Sequence, residues 1–125
     1  MKKIRIKSIL SNFENDTTTI EALAELNEEE QSISYVEEDL KVKIIMFKDK
    51  VTIERKNEDY DLSLEFVEKE TIKCKYSVRS IGLNLEIDVY TKTLEVNENR
   101  IYIEYELFSE SKSIGTFEYK LIFRE

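Results

Sequence analysis

Residues 72–94 read IKCKYSVRSIGLNLEIDVYTKTL, and their apolar side chains fall on every second position. Ile72, Cys74, Tyr76 and Val78 precede Gly82, and Leu83, Leu85, Ile87 and Val89 follow it. A period of two belongs to strands that bury one face and wet the other. The stretch therefore predicts two long strands joined by a turn at Gly82. Beyond Val89 the apolar phase slips, because Leu94 and Val96 have the opposite parity. A one-residue slip turns every later side chain to the other face unless a bulge restores the register, so a bulge or sharp coil is expected over residues 90–93.

The same alternation runs outward in both directions, from Ile4 to Phe123. Upstream, Ile4, Ile6, Ser8 and Leu10 share a phase, as do Ile33 and Tyr35, then Val42, Ile44 and Met46, then Tyr60, Leu62, Leu64 and Phe66. Downstream, Ile101, Ile103, Tyr105 and Leu107 lead through a turn to Phe117, Tyr119, Leu121 and Phe123. Residues 17–30 admit two readings. Thr18 followed by Glu21 resembles a capping box and Ala22, Leu23 and Ala24 favour a helix, whereas Ile20, Ala22, Ala24 and Leu26 lie on one strand phase. Short polar turns, such as Glu28-Glu29-Glu30 and Asn97-Glu98-Asn99, leave no room for crossover helices, so neighbouring strands pair antiparallel in a meander.

The fold class is accordingly all-β, with a single domain over residues 1–125 built as an antiparallel meander of about 8–10 strands. With no proline and only two glycines, the chain lacks the usual means of blunting a sheet edge. A sheet closed into a barrel has no edges to protect. The alternative is a two-sheet sandwich guarded by its many lysines and glutamates.

The chain carries 19 basic and 27 acidic residues, a net charge of -8. That field repels phosphate backbones, so nucleic acid is not an expected partner, although a local basic patch can survive on an acidic protein. No apolar run is long enough to span a bilayer as a helix, and no membrane partner is expected. The single cysteine cannot form an internal disulfide, which suits a reducing compartment and points to the cytoplasm.

The opening Ile4-Arg5-Ile6-Lys7-Ser8, the segment Ile33-Ser34-Tyr35-Val36-Glu37-Glu38, and above all residues 72–94 with Tyr76, Gly82, Leu85 and Thr91, resemble an uncharacterised bacterial group, the YwiB-like family. The resemblance extends over nearly the whole chain and implies a calycin-type, lipocalin-like β-barrel. That family tends to place glycine in the second strand, where this chain has Ala22 and Ala24. The resemblance implies no activity, ligand or catalytic residues.

Five tyrosines, Tyr35, Tyr60, Tyr76, Tyr105 and Tyr119, share the apolar phase of their strands. Buried phenols need hydrogen-bond partners, so these rings either fill the core or line a lumen that orients a small, mostly apolar molecule. Cys74 is in phase and expected to be buried and inert. With no histidine, the commonest general base and transition-metal ligand are missing; no enzyme activity, catalytic residue, metal site or cofactor is expected. The acidic turns follow no calcium-loop pattern. Off phase stand Ile9, Val36, Ile45, Phe47, Tyr90, Tyr102, Phe108 and Ile122. Ile45 and Phe47, two apart, are the expected site of a homodimer or partner contact. The two functions in view are a non-catalytic barrel for a small apolar ligand and a protein-interaction or self-associating module with a filled core.

Overall fold

A computed structural model describes residues 2–12, 14 and 16–124. Ten strands follow one another: β1 (Lys2–Asn12), β2 (Thr17–Asn27), β3 (Ser32–Glu37), β4 (Leu40–Met46), β5 (Val51–Lys56), β6 (Tyr60–Phe66), β7 (Thr71–Val78), β8 (Leu83–Val96), β9 (Arg100–Ser109) and β10 (Lys112–Arg124). Each pairs antiparallel with its neighbours in sequence, and β1 pairs with β10, from Arg5↔Arg124 to Asn12↔Phe117. The meander is thus a closed barrel, not a sandwich. Residues 17–27 are a strand: their even positions pair with the inward side of β1, Ile4↔Ala24 and Ile6↔Ala22, and tertiary pairing overrides the local helix preference. The sequence also predicts a polar turn over residues 12–16, which lies partly outside the described residues.

The period-two phase lands on the interior throughout. Ile33, Ile44, Val51, Phe66, Val89, Ile101, Ile103 and Leu121 are fully buried, with Ile4, Ile6 and Val42 close behind. These side chains form the core of one half of the barrel, whose rim residues Leu26, Met46, Ile72 and Leu94 are partly buried. In the other half, where the β3–β4, β5–β6, β7–β8 and β9–β10 turns lie, the inward-phase residues Leu10, Tyr60, Leu62, Tyr76, Leu107 and Phe117 are only partly buried. Leu83 and Leu85 keep the phase but are 40% and 41% exposed. The end of β9 explains this, because β8 pairs with it only from Asp88↔Phe108 onward and β9 stops at Ser109, which leaves Leu83 and Leu85 with a neighbour on the β7 side alone.

The register of β8 against β9 shifts between Thr91 and Thr93, within the span where the apolar phase slips. The backbone groups freed by this bulge are claimed by the β6–β7 turn. Lys69 N–H donates to the Thr91 carbonyl at 2.7 Å, Thr91 N–H to the Glu70 carbonyl at 3.2 Å, and Leu94 N–H to the Glu68 carboxylate at 3.3 Å. Leu94 is thereby restored to the inward side, opposite Ile103. A comparable substitution occurs between β6 and β7, whose ladder runs only from Tyr60↔Val78 to Leu62↔Tyr76. Past that point the Glu65 N–H finds the Cys74 sulfur at 3.3 Å. Cys74 is buried, and burial pushes its thiol pKa up, so it packs as a small apolar residue and not as a nucleophile.

With so few glycines, several turns place ordinary residues in the left-handed region: Glu38 at φ 57°, Lys69 at 65°, and Glu110 and Ser111 at 51° and 68°. The last two form the β9–β10 connection, a two-residue loop of the kind best served by Asn-Gly. Two stability outcomes follow. Phe66→Ala, which empties a fully buried site, lowers the unfolding free energy measured by urea titration by roughly 3–5 kcal/mol, whereas Leu85→Ala has a much smaller effect. Replacing Glu110-Ser111 by Asn-Gly relieves the backbone at both positions and raises stability by about 1 kcal/mol in the same titration.

Candidate functional site

The structure separates the five in-phase tyrosines into two groups. Tyr35, Tyr105 and Tyr119 lie within the barrel, 5%, 6% and 2% exposed. Tyr60 and Tyr76 stand at its mouth, their rings edge to face at 5.6 Å. Tyr105 is wedged between Phe66, at 4.8 Å between centroids, and Phe117, on which it stacks at 5.4 Å and 23°. Aromatic packing of this kind fixes the ring without satisfying its hydroxyl.

Deeper in, the polar atoms are poorly served. The Tyr35 and Tyr119 hydroxyls and the Thr91 Oγ1 are buried and make no hydrogen bond among the described residues. Tyr35 nonetheless lies close enough to Tyr119 to oppose ionisation of the Tyr119 phenol. Burial is the larger effect and drives the Tyr119 phenol well above its ordinary pKa, as it pushes Tyr105 up to about 12. A buried hydroxyl without a partner forfeits its hydration and gains nothing in return.

Arg55 shares this chamber. It follows Val51 and Ile53 on the inward phase of β5 and stands directly opposite Val42 and Leu62. Its positive charge acts on both Tyr105 and Tyr119, pulling their phenols down against burial. Glu37, last residue of β3 and in phase with Ile33 and Tyr35, approaches it at 3.8 Å between Oε2 and Nη1, the two side chains 24% and 22% exposed. Such a separation is a loose ion pair, and it leaves guanidinium donors unclaimed. The same alternation that singled out the tyrosines marks Arg55 and Glu37 as inward residues. A phase traced through apolar and aromatic residues alone does not reveal them, because their charged heads interrupt the apolar pattern.

The outer wall differs from the expectation for Ile45 and Phe47. β4 ends at Met46, so Phe47 lies beyond the strand, in the turn to β5, where its N–H donates to the Lys50 carbonyl at 2.8 Å. The Lys50 ammonium sits 4.8 Å from its ring centroid. Ile45 stays on the strand, half-buried. Of the other off-phase residues, Val36 and Ile122 are exposed, while Ile9, Tyr90, Tyr102 and Phe108 are half-buried. Tyr102 lies between Glu104 and Glu118, which face each other across β9 and β10, and its hydroxyl is 2.7 Å and 2.9 Å from their carboxylates. Leu23, 66% exposed, belongs with Val36 and Ile122 by parity but was hidden by the ambiguity of residues 17–30. Among the described residues no group of three or more cysteine, aspartate and glutamate side chains is arranged to hold a metal ion. Among the described residues no helix is long and apolar enough to cross a membrane.

These features define a class: a closed ten-stranded antiparallel meander barrel with an apolar interior. The chain belongs to the family described as Domain of unknown function (DUF1934), whose pattern matches residues 4–121. The crystal structure of the YwiB protein from Bacillus subtilis is similar in fold, with a TM-score of 0.64 and 17% sequence identity over 98% of this chain and 89% of that one. No curated protein matches the chain.

The phenols carry a pH dependence. Tyr105 and Tyr119 have pKa values raised in the folded state, so the stability they contribute is complete below about 10, the value in the unfolded chain, and is lost as pH rises through the folded values. Urea midpoints are expected to fall steeply between pH 10 and 12, and the fall is shallower in Tyr105→Phe and Tyr119→Phe.

Proposed function

We propose that this protein is a non-catalytic binding barrel of the calycin, lipocalin-like type, taking a small amphipathic molecule through its open end. The apolar body of the ligand lies against Leu10, Leu62, Leu107 and Phe117, and its polar or anionic head meets Arg55, Tyr35 and Tyr119. The observation that carries the reading is the pair of buried phenols Tyr35 and Tyr119, which have at most each other for a hydrogen-bond partner, with an arginine whose charge reaches Tyr119. Buried polar atoms are ordinarily satisfied, and where the protein supplies no partner, water or a bound group does so. A guanidinium adds preference for carboxylate, sulfonate or phosphate, which it can engage through two donors at once. Because the fully buried side chains form the core of one half of the barrel, the ligand is a short molecule held near the mouth and not one threaded through the barrel. A cytoplasmic, reducing setting suits the single buried thiol of Cys74.

The anionic fluorophore anilinonaphthalene sulfonate is expected to bind the native protein saturably, and more tightly than the uncharged N-phenylnaphthylamine. Arg55→Met removes the preference for the anion and leaves the weaker apolar uptake. Equal binding of both dyes by the native protein, or an anion preference that survives Arg55→Met, rules the reading out.

A further inference from the structure

The wall of the barrel is unevenly zipped. β2 and β3 pair only from Glu25↔Ser34 to Asn27↔Ser32, whereas β1 and β2 pair from Lys2↔Leu26 to Ser11↔Thr17. Above Glu25 and Ser34 the two strands part, and residues 17–24 of β2 and 35–37 of β3 face a gap. In a strand alternate residues turn their N–H and C=O groups to opposite sides, so half of these backbone groups point into it. The equivalent parting of β6 and β7 is mended by the Cys74 thiol and the clasp on the β8 bulge. No side chain mends this one among the described residues.

A groove of about 730 Å³ lies over the gap. Its apolar centre is formed by Leu23 and Val36, 66% and 58% exposed. Four lysines, Lys3, Lys41, Lys43 and Lys56, line it against two glutamates, Glu25 and Glu54, inverting the acidic balance of the whole chain. Lys43 pairs with Glu30 at 3.0 Å and Lys56 with Glu54 at 3.6 Å, both in exposed positions where such pairs exchange readily. Lys41 stands directly opposite Lys56, and on the adjoining wall Arg5 stands directly opposite Arg124. Like charges in facing positions destabilise a sheet, and an acidic occupant would neutralise them.

We propose that this groove docks an extended acidic segment of a partner protein, which adds to the free edge of β2 and alternates carboxylates with apolar side chains. The free backbone edge favours a peptide over a membrane surface, because only a strand can use those hydrogen bonds. Because successive side chains of a strand point to opposite faces, the segment's carboxylates point outward to the lysines, and its apolar side chains point through the gap toward Ala24, Tyr35 and Val42, which also line the groove. The groove combines the outward-facing lysines, Leu23 and Val36 with the inward Ala24, Tyr35 and Val42 reached through the gap.

The test uses a fluorescein-labelled peptide of alternating glutamate and valine, with a lysine and valine peptide as control, in fluorescence polarisation and amide hydrogen exchange. Saturable binding of the acidic peptide alone is expected, weakening with salt, with new protection confined to residues 17–24. Lys41→Glu and Val36→Asp each weaken it by about tenfold or more, and Lys41→Gln by less, while circular dichroism and dye uptake stay native. Failure of the acidic peptide to bind, equal affinity in the variants, or protection elsewhere overturns the proposal. Binding of phosphatidylglycerol vesicles in place of the peptide also overturns it and assigns the face to a lipid surface.

Discussion

Pairing of the first strand with the last, Arg5–Asn12 against Phe117–Arg124, is the constraint on which the rest of the molecule depends. Until that seam forms, β1 and β10 are two exposed edges on a chain that carries no proline to blunt them. Once it forms, every inward-phase side chain faces the same enclosed space, and Ile6, Ser8 and Leu10 meet Phe123, Leu121 and Tyr119 across it. The seam also joins the ends of the chain, which makes it a contact of very long sequence separation. Its loop-closure entropy must be met by the core it completes.

Closure does not make the wall uniform. Where neighbouring ladders are short or shifted, other groups stand in for the missing strand partner: a thiol at Glu65, and the β6–β7 turn at the Thr91 bulge. These substitutions keep buried backbone groups satisfied, as a closed interior demands. The gap between β2 and β3 has no such repair, and it coincides with the groove in which lysines gather around exposed Leu23 and Val36. Inside, the unmet atoms are the hydroxyls of Tyr35 and Tyr119 and the Oγ1 of Thr91. The two incompletely satisfied regions, one luminal and one on the outer wall, are the places where a molecule from outside has something to complete.

Much of the architecture was legible from alternation alone, because a period of two is a direct imprint of a half-buried strand. The strands, the inward residues of nearly all of them and the bulge beyond Val89 were readable in this way, whereas closure was expected from the absence of proline and the scarcity of glycine, with a two-sheet sandwich as the alternative. Residues 17–30 were not decided by it, since Ala22, Leu23 and Ala24 suit a helix as well as a strand until Ile4 and Ile6 lie opposite them. Leu83 and Leu85 were read as interior and are substantially exposed, because periodicity reports the face of a strand and not how far along the barrel its neighbours extend. Phe47 lies in the turn beyond β4 and not beside Ile45 on the strand for a related reason: strand ends are set by turn hydrogen bonds such as Phe47 to Lys50.

The order of polar and apolar residues by itself determined the strand class, the antiparallel meander and which residues of each strand face inward, because these are local consequences of side-chain alternation and short turns. Only the tertiary structure decided which half of the barrel holds the fully buried core, that Arg55 shares a chamber with Tyr105 and Tyr119, and that the lysines of three separate strands, β1, β4 and β5, meet over an open seam. Those juxtapositions depend on strand register and on unequal strand length around the barrel, quantities that arise only when distant segments pair.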